Sequence, residues 1–216
     1  MTITAVVCLL LTSATPAAAV KVLTVESAGG PAASVGDRVV AKLETSGKIQ
    51  FVKENGEIAC TSSELIGDVA SNPESGAGKA KIEVENYTFG SCTTTIGGAG
   101  SIVKRVLVEM LPLFMTTEGT NLFEVIQEKT KDFAIELAIE TAGKEEIACN
   151  FIAASLQAKY ENANSEIHIS QLINKSVENL KNCNKAPNNT FPNMKAKYRP
   201  FQDETGMNKG KRIFIN

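Results

Sequence analysis

Phe133-Ala134-Ile135-Glu136-Leu137-Ala138-Ile139 is the stretch that decides the fold. Large apolar side chains occupy every second position, and successive residues of a strand point to opposite faces, so all four fall on one side of an extended segment. The same alternation runs through Ile82 and Val84, and through Ile167 and Ile169. Asn55-Gly56 stands between Ile49-Gln50-Phe51-Val52 and Ile58-Ala59-Cys60. Asn-Gly readily supplies the positive φ angles of a type I′ turn, so these segments are expected to form a hairpin that runs into the first cysteine of the mature chain.

Working outward, strands are expected at Val20 to Ser27, Asp37 to Glu44, Lys48 to Lys53, Glu57 to Thr61, Leu65 to Ser71, Ala80 to Thr88 and Ile102 to Met110. Further strands are expected at Asp132 to Thr141, Glu146 to Phe151, Ser155 to Tyr160, Glu166 to Ile173 and, at the end, Arg212 to Ile215. Leu122, Val125 and Ile126 share one helical face of Thr120 to Thr130, which reads as a helix or as an irregular strand. The Asn-, Lys- and Pro-rich last forty residues read mostly as loop. Many short strands between turn clusters give an all-β fold, an antiparallel β-sandwich or barrel.

Met1 to Ala19 carry no charge, hold an apolar run from Ala5 to Leu11 and end on Ala17-Ala18-Ala19. The run is far shorter than the roughly 20 residues that cross a bilayer, and the A-x-A step suits signal peptidase, so 1–19 read as a secretory signal peptide and 20–216 as one β domain. Cys8 leaves with the leader. Cys60, Cys92, Cys149 and Cys183 remain, an even set in an exported chain, where oxidising conditions favour disulfides. No C-x-x-C occurs and the only histidine, His168, has no ligand spacing to a cysteine, so zinc is a poor reading.

Glu57-Ile58-Ala59-Cys60 recurs as Glu146-Ile147-Ala148-Cys149, and each string is followed by an apolar strand, a polar turn, a second strand and a cysteine. Two related units, about 48–100 and 132–190, are therefore expected, with one bridge in each: Cys60 to Cys92 and Cys149 to Cys183. Each bridge closes a loop of about thirty residues, contributing on the order of 3 to 4 kcal/mol in the chain-entropy model.

Gly56-Glu57-Ile58-Ala59-Cys60-Thr61-Ser62-Ser63, Gly67, Asn72-Pro73 and Phe89-Gly90-Ser91-Cys92 resemble a group of uncharacterised secreted proteins of high-GC Gram-positive bacteria. Cys149-Asn150-Phe151, Leu156, Cys183, Ala196-Lys197-Tyr198 and Ile213-Phe214-Ile215 look like the C-terminal half of the same group. The likeness implies an exported, four-cysteine, all-β protein, and it carries no activity, cofactor or catalytic residue.

The 22 basic and 24 acidic residues of the 216 leave a net charge of −2, which gives no cationic field for a nucleic acid. The charge is uneven, however, with nine basic and three acidic residues from Lys175 onward. This tail reads chiefly as a solvated segment tied down by Cys183, and otherwise as a surface for an anionic wall polymer or a membrane. His168, the sole histidine candidate for a general base, lies on a strand-like stretch with no G-x-S-x-G elbow in the chain, and reads as a solvent-facing residue. Glu83 and Glu85 are two apart on one strand and read as a solvated face rather than a glycosidase pair. Gly76-Ala77-Gly78-Lys79 is a turn, with Ala80 where a phosphate loop needs Ser or Thr. Val106 to Met115 is the most apolar stretch of the mature chain. Pro112 excludes a central strand at that point, and the stretch reads as core unless it is exposed as an assembly surface.

No catalytic residue, metal ligand or cofactor is assigned from these patterns. The functional expectation is a secreted, non-enzymatic binding or structural module at or outside the cell surface, its partner a wall polymer or a protein, with no transmembrane anchor. The rival classes are a secreted hydrolase using His168 or a carboxylate pair, and a self-assembling fibre or adhesin built on an exposed edge strand.

Overall fold

The computed structural model describes residues 19–44, 47–53, 56–119, 121–183 and 192–216. The expected leader up to residue 18 and the turn residue Asn55 lie outside the described residues. The strands are β1 (Leu23–Val25), β2 (Arg38–Leu43), β3 (Ile49–Lys53), β4 (Gly56–Ser71), β5 (Ala80–Thr94), β6 (Ile102–Val108), β7 (Leu113–Thr117) and β8 (Leu122–Gln127). They continue as β9 (Phe133–Glu140), β10 (Glu146–Ala153), β11 (Leu156–Glu161), β12 (Glu166–Leu172), β13 (Ser176–Lys181), β14 (Asn193–Asp203) and β15 (Ile213–Ile215). A 3-10 turn lies at Gly206–Asn208.

Eight strands close into an antiparallel barrel in the order β4-β5-β7-β8-β11-β12-β14-β2, with β2 pairing back onto β4. Of the two forms expected for an all-β chain, this is the barrel. β3 continues the line of β2, lying between β4 and the first residues of β14. At one end the ribbon of β1 and β15 covers the barrel, fastened by Asn162, Asn72 and Asn216 side chains to its neighbouring backbone. From the other end the chain makes three excursions, β6, β9–β10 and β13, which pair with each other as a second sheet in the order β13-β10-β9-β6. One buried cluster runs from the barrel into this sheet through Phe133, Ile135, Leu137, Cys149 and Phe151.

Alternation explains which residues fill the barrel. Val39 and Ala41 of β2, Leu65 and Val69 of β4, Ile82 and Val84 of β5, Phe123 and Val125 of β8, Ile167 and Ile169 of β12, and Met194, Ala196 and Tyr198 of β14 are buried. Gly67 is required at its place. A Cβ there would stand 2.5 Å from the Glu83 carbonyl oxygen of the neighbouring strand, next to a bulge between Ile66 and Gly67.

Several expectations change. The segment from Thr120 to Thr130 is not a helix: Leu122–Gln127 is strand β8, because Phe123 and Val125 point inward at a period of two. Among the described residues, the C-terminal segment is not mostly loop either. Asn193–Asp203 is a strand of the barrel itself, and its Pro200 is tolerated because a register irregularity lies between Tyr198 and Phe201. The strands expected at 57–61 and 65–71 are one strand, β4. The apolar stretch Val106 to Met115 divides at Pro112. Leu113, Phe114 and Met115 are core, whereas Leu107, Met110 and Leu111 are exposed beside β6, an edge of the second sheet. The hairpin of β3 and β4 forms as expected, with Lys53 opposite Gly56. The two EIAC strings stand in different surroundings, the first in β4 and the second in β10 of the second sheet.

Two buried polar networks pin the interior. At one level the Tyr198 hydroxyl donates to that of Tyr87 at 2.8 Å, and Ser63 Oγ lies 3.0 Å from Tyr198 while donating to the Thr88 carbonyl at 2.6 Å. At the other, Tyr160 donates to the Ile213 carbonyl and meets Ser165, which donates to the Phe201 carbonyl at 2.6 Å. Burial raises the pKa of all three tyrosines above the ordinary 10.0, and the neighbouring Tyr198 adds to the effect at Tyr87. The unfolded chain therefore loses phenolic protons near pH 10 while the folded one keeps them, so stability falls as pH rises beyond that point. With three tyrosines and no tryptophan, tyrosinate absorbance reads this directly. It should stay silent past pH 10 and then appear in one cooperative step together with loss of the far-ultraviolet circular dichroism. Independent titration near pH 10 with the fold intact would contradict the buried networks.

Candidate functional site

The four cysteines come together as two bridges, Cys60 to Cys92 and Cys149 to Cys183, separated in sequence by 32 and 34 residues. Cys60 and Cys92 are direct register partners on β4 and β5, with Cα atoms 3.9 Å apart. Cys149 of β10 reaches Cys183, two residues beyond β13. The first bridge therefore locks the hairpin where it leaves the barrel, and the second locks the edge strand β13 onto its own sheet. Cys149 also borders an apolar cavity of about 30 Å³ that Ile58 and Ile96 share with Leu137, Ile139 and Phe151 of the second sheet.

The charged constellation lies on the outer face of β11, β12 and β14. Because Ile167 and Ile169 point inward, Glu166 and His168 point outward. His168 sits opposite Lys159 on one side and Lys197 on the other. Glu166 is only 4% exposed, and its carboxylate is the hub: His168 Nε2 contacts it, Lys197 Nζ lies 3.1 Å from Oε1 and Arg199 lies 3.9 Å from Oε2. Arg199 also pairs with Glu44, and Glu161 lies 3.8 Å from the histidine. His168 is thus on the outer face, as read from sequence, but packed into an ion-pair knot. Among the described residues no serine or threonine hydroxyl is hydrogen-bonded to it.

Glu161, Glu166 and His168 offer ligand atoms within 4.8 Å of one another. Two cationic head groups already flank both oxygens of Glu166, and they would repel a metal ion there. The donor set fits an ion-pair knot better than a metal centre.

Beside the knot is an open groove of about 320 Å³, lined by Gly47, Lys48 and Gln50 from the start of β3, by His168 and Ser170 of β12, and by Lys195 and Lys197 of β14. Three ammonium groups and the polar ends of Gln50 and Ser170 line it. A second depression, of about 430 Å³, lies where β4 and β5 leave the barrel, and is lined by Lys42, Thr61, Ser62, Thr88, Phe89 and Gly90 among others. Its Lys42 is paired with Glu64 at 3.2 Å.

Of the other residues weighed from sequence, Glu85 pairs with Arg38 at 2.8 Å, and Glu83 lies on the opposite face of β5 from the buried Ile82 and Val84. They form no pocket together among the described cavities. Gly76 to Lys79 is the turn between β4 and β5, and Lys79 pairs with Glu118. The sequence pattern by itself assigns no site role to Lys48, Lys195, Lys197 or Glu166. The available signal was Met194-Lys195-Ala196-Lys197-Tyr198, whose alternation marks a strand with lysines on one face.

Comparison with protein-family models, with curated proteins and with solved structures gives no match.

The knot has a measurable role in stability. Glu166→Gln removes the buried charge that holds His168, Lys197 and Arg199, while those partners retain access to water. A loss of about 1 to 2 kcal/mol is expected, seen as a fall in Tm of roughly 2–8 °C in thermal unfolding. An unchanged Tm would show that the knot contributes nothing to the fold.

Proposed function

We propose that this chain is an exported, disulfide-stapled β-barrel that works outside the cytosol as a non-enzymatic binding module at or near the cell surface. The observation that carries the reading is the pair of disulfides, since such bridges persist in oxidising compartments and are rare in the cytosol. The leader-like sequence ahead of Val20 supports the same placement. No helix among the described residues is long and apolar enough to cross a membrane. The barrel is also apolar inside and charged outside, through Lys42, Lys81, Lys159 and Lys197, which is the inverse of a barrel that faces lipid. Kinship with four-cysteine secreted proteins of high-GC Gram-positive bacteria belongs to the same proposal.

A binding role suits the surface better than catalysis. The only histidine is held by Glu166 rather than aimed at a nucleophile, and the lysine-lined groove offers charge without an acid–base pair directed at one point. Alkylation of thiols before lysis, followed by non-reducing peptide mapping, tests the reading. The expected product is found outside the cytosol, begins near Val20 and yields the linked peptides Cys60–Cys92 and Cys149–Cys183 without alkylation. A cytosolic chain that retains residues 1–19 and carries four alkylated cysteines would overturn it.

A further inference from the structure

We propose that the groove formed by β3, β12 and β14 binds a polymer bearing tetrahedral oxyanions, with Lys48, Lys195 and Lys197 as its contact charges. This deepens the binding-module reading and rests on it.

Lys195 and Lys197 are two positions apart on β14, and their neighbours Met194, Ala196 and Tyr198 are buried. Both lysines therefore project from the outer face, about 6.6 Å apart along the strand. Register places Lys195 opposite Ser170 on one side and Gln50 on the other, and Lys197 opposite His168. Lys48 enters from the segment between β2 and β3. The three lysines of this face thus come from two separate parts of the chain.

The balance of charge at the groove favours an anion. Glu166 is matched by Lys197 and Arg199, and Arg199 also pairs with Glu44. Glu57, which accepts a hydrogen bond from Gln50 Nε2 at 2.7 Å, keeps its charge but is not part of the groove lining. No described acid pairs with Lys48 or Lys195, nor with Lys159 on the far side of His168. Like-charged groups held together in a groove raise the local concentration of counter-ions, and a polyanion that displaces several small ions at once gains from their release.

The chemistry of the groups narrows the ligand. Ammonium groups act as compact point charges without the planar fork that matches a carboxylate in two places, so several converging lysines suit a group with oxygens in three directions, such as a phosphate or sulfate. The Gln50 amide and the Ser170 hydroxyl add neutral hydrogen-bonding groups at the rim. Neither Phe nor Tyr lines the groove, so nothing there stacks a nucleic-acid base. The open shape admits a chain that enters and leaves, and repeated weak contacts along such a chain add by effective concentration.

The test uses the purified mature protein from Val20 onward with both disulfides confirmed, so its outcome is independent of where the protein is exported. Long-chain polyphosphate, inorganic phosphate and single-stranded DNA of matched charge are titrated by calorimetry over a range of salt. Polyphosphate is expected to bind at least 100-fold more tightly than inorganic phosphate and at least as tightly as the DNA, with a log–log salt slope of about −2 to −3 for three lysines. The double variant Lys48→Gln/Lys195→Gln, which leaves the ion pair of Lys197 in place, should weaken polyphosphate binding tenfold or more. The control Lys129→Gln/Lys144→Gln, in the turns after β8 and β9, changes net charge equally and should stay within twofold of the parent. No polyphosphate binding, tighter binding of DNA, equal binding of phosphate and polymer, or equal losses in both double variants would each overturn the proposal.

Discussion

Closure is the constraint on which the rest of this structure depends. In a ring of eight strands every backbone N–H and C=O along the seam needs a partner, and the last strand to arrive, β14, must satisfy two edges at once. It pairs with β12 along Ile167 to Leu172 and with β2 along Val39 to Leu43, and its first residues also hold β3. The seam therefore joins residues near the start of the described chain to residues near its end. The ribbon of β1 and β15 repeats that long-range closure at the base of the barrel. A fold built this way gains little from local contacts alone. It needs each strand to present a clean inside and outside, because a slip by one residue would turn the lysines of β14 inward and Tyr198 outward.

The two disulfides do not serve the seam. They secure what lies beyond it, one where β4 and β5 leave the ring and one at the edge of the second sheet. That sheet is assembled from three excursions distant in sequence, and β13 is held to it only along Cys149 to Ile152 before the chain passes on. Its outer side carries an ion-pair lattice instead of a further layer: Arg105 donates twice to Glu136, and Lys181 and Arg105 converge on Glu146. Hydrogen bonding and charge from Lys181 hold the Glu146 carboxyl below its ordinary range. Cross-links and ion pairs thus reinforce the periphery, where apolar burial is thinner than in the barrel.

The strand nature of the chain was legible because alternation is a local property, and the run from Phe133 to Ile139 shows it without ambiguity. The cysteine partners were legible from the likeness of two strings of four residues, although one string lies in the barrel and the other outside it. At Leu122–Gln127 the strand rather than the helix is found, and the loop reading of Asn193–Asp203 fails, for a shared reason. In both Leu122–Gln127 and Asn193–Asp203 the inward residues are mixed with many polar ones, so composition outweighed period. Asn, Lys and Pro in the second segment signal loop on average, yet Met194, Ala196, Tyr198 and Phe201 are almost wholly buried. The candidate groove is hidden for the same cause: a segment whose composition reads as loop gives its lysines no face to share. The pairing of Lys197 with His168 depends on register between β12 and β14, which no local pattern carries.

An eight-stranded barrel has an interior that is either filled by side chains or just wide enough for one small ligand. Here Phe123, Tyr160 and Phe201 stack edge to face with centroids 5.8–6.1 Å apart at one level, and Tyr87 and Tyr198 meet at 6.0 Å at the other. Both hydroxyl networks close within the protein, and the packed rings fill the interior at both levels. Under the proposed binding role, recognition falls to the outer wall. On a regular barrel that wall is smooth, and a recess requires a break in the hydrogen-bonded surface. The chain supplies one where β2 stops at Leu43 and β3 resumes at Ile49 along the same line between β4 and β14. Gly47 and Lys48 stand at that interruption, against the lysines of β14. The same discontinuity that lets β4 and β5 extend beyond the ring therefore also shapes the groove, so the position of the cationic site follows from how the barrel is closed.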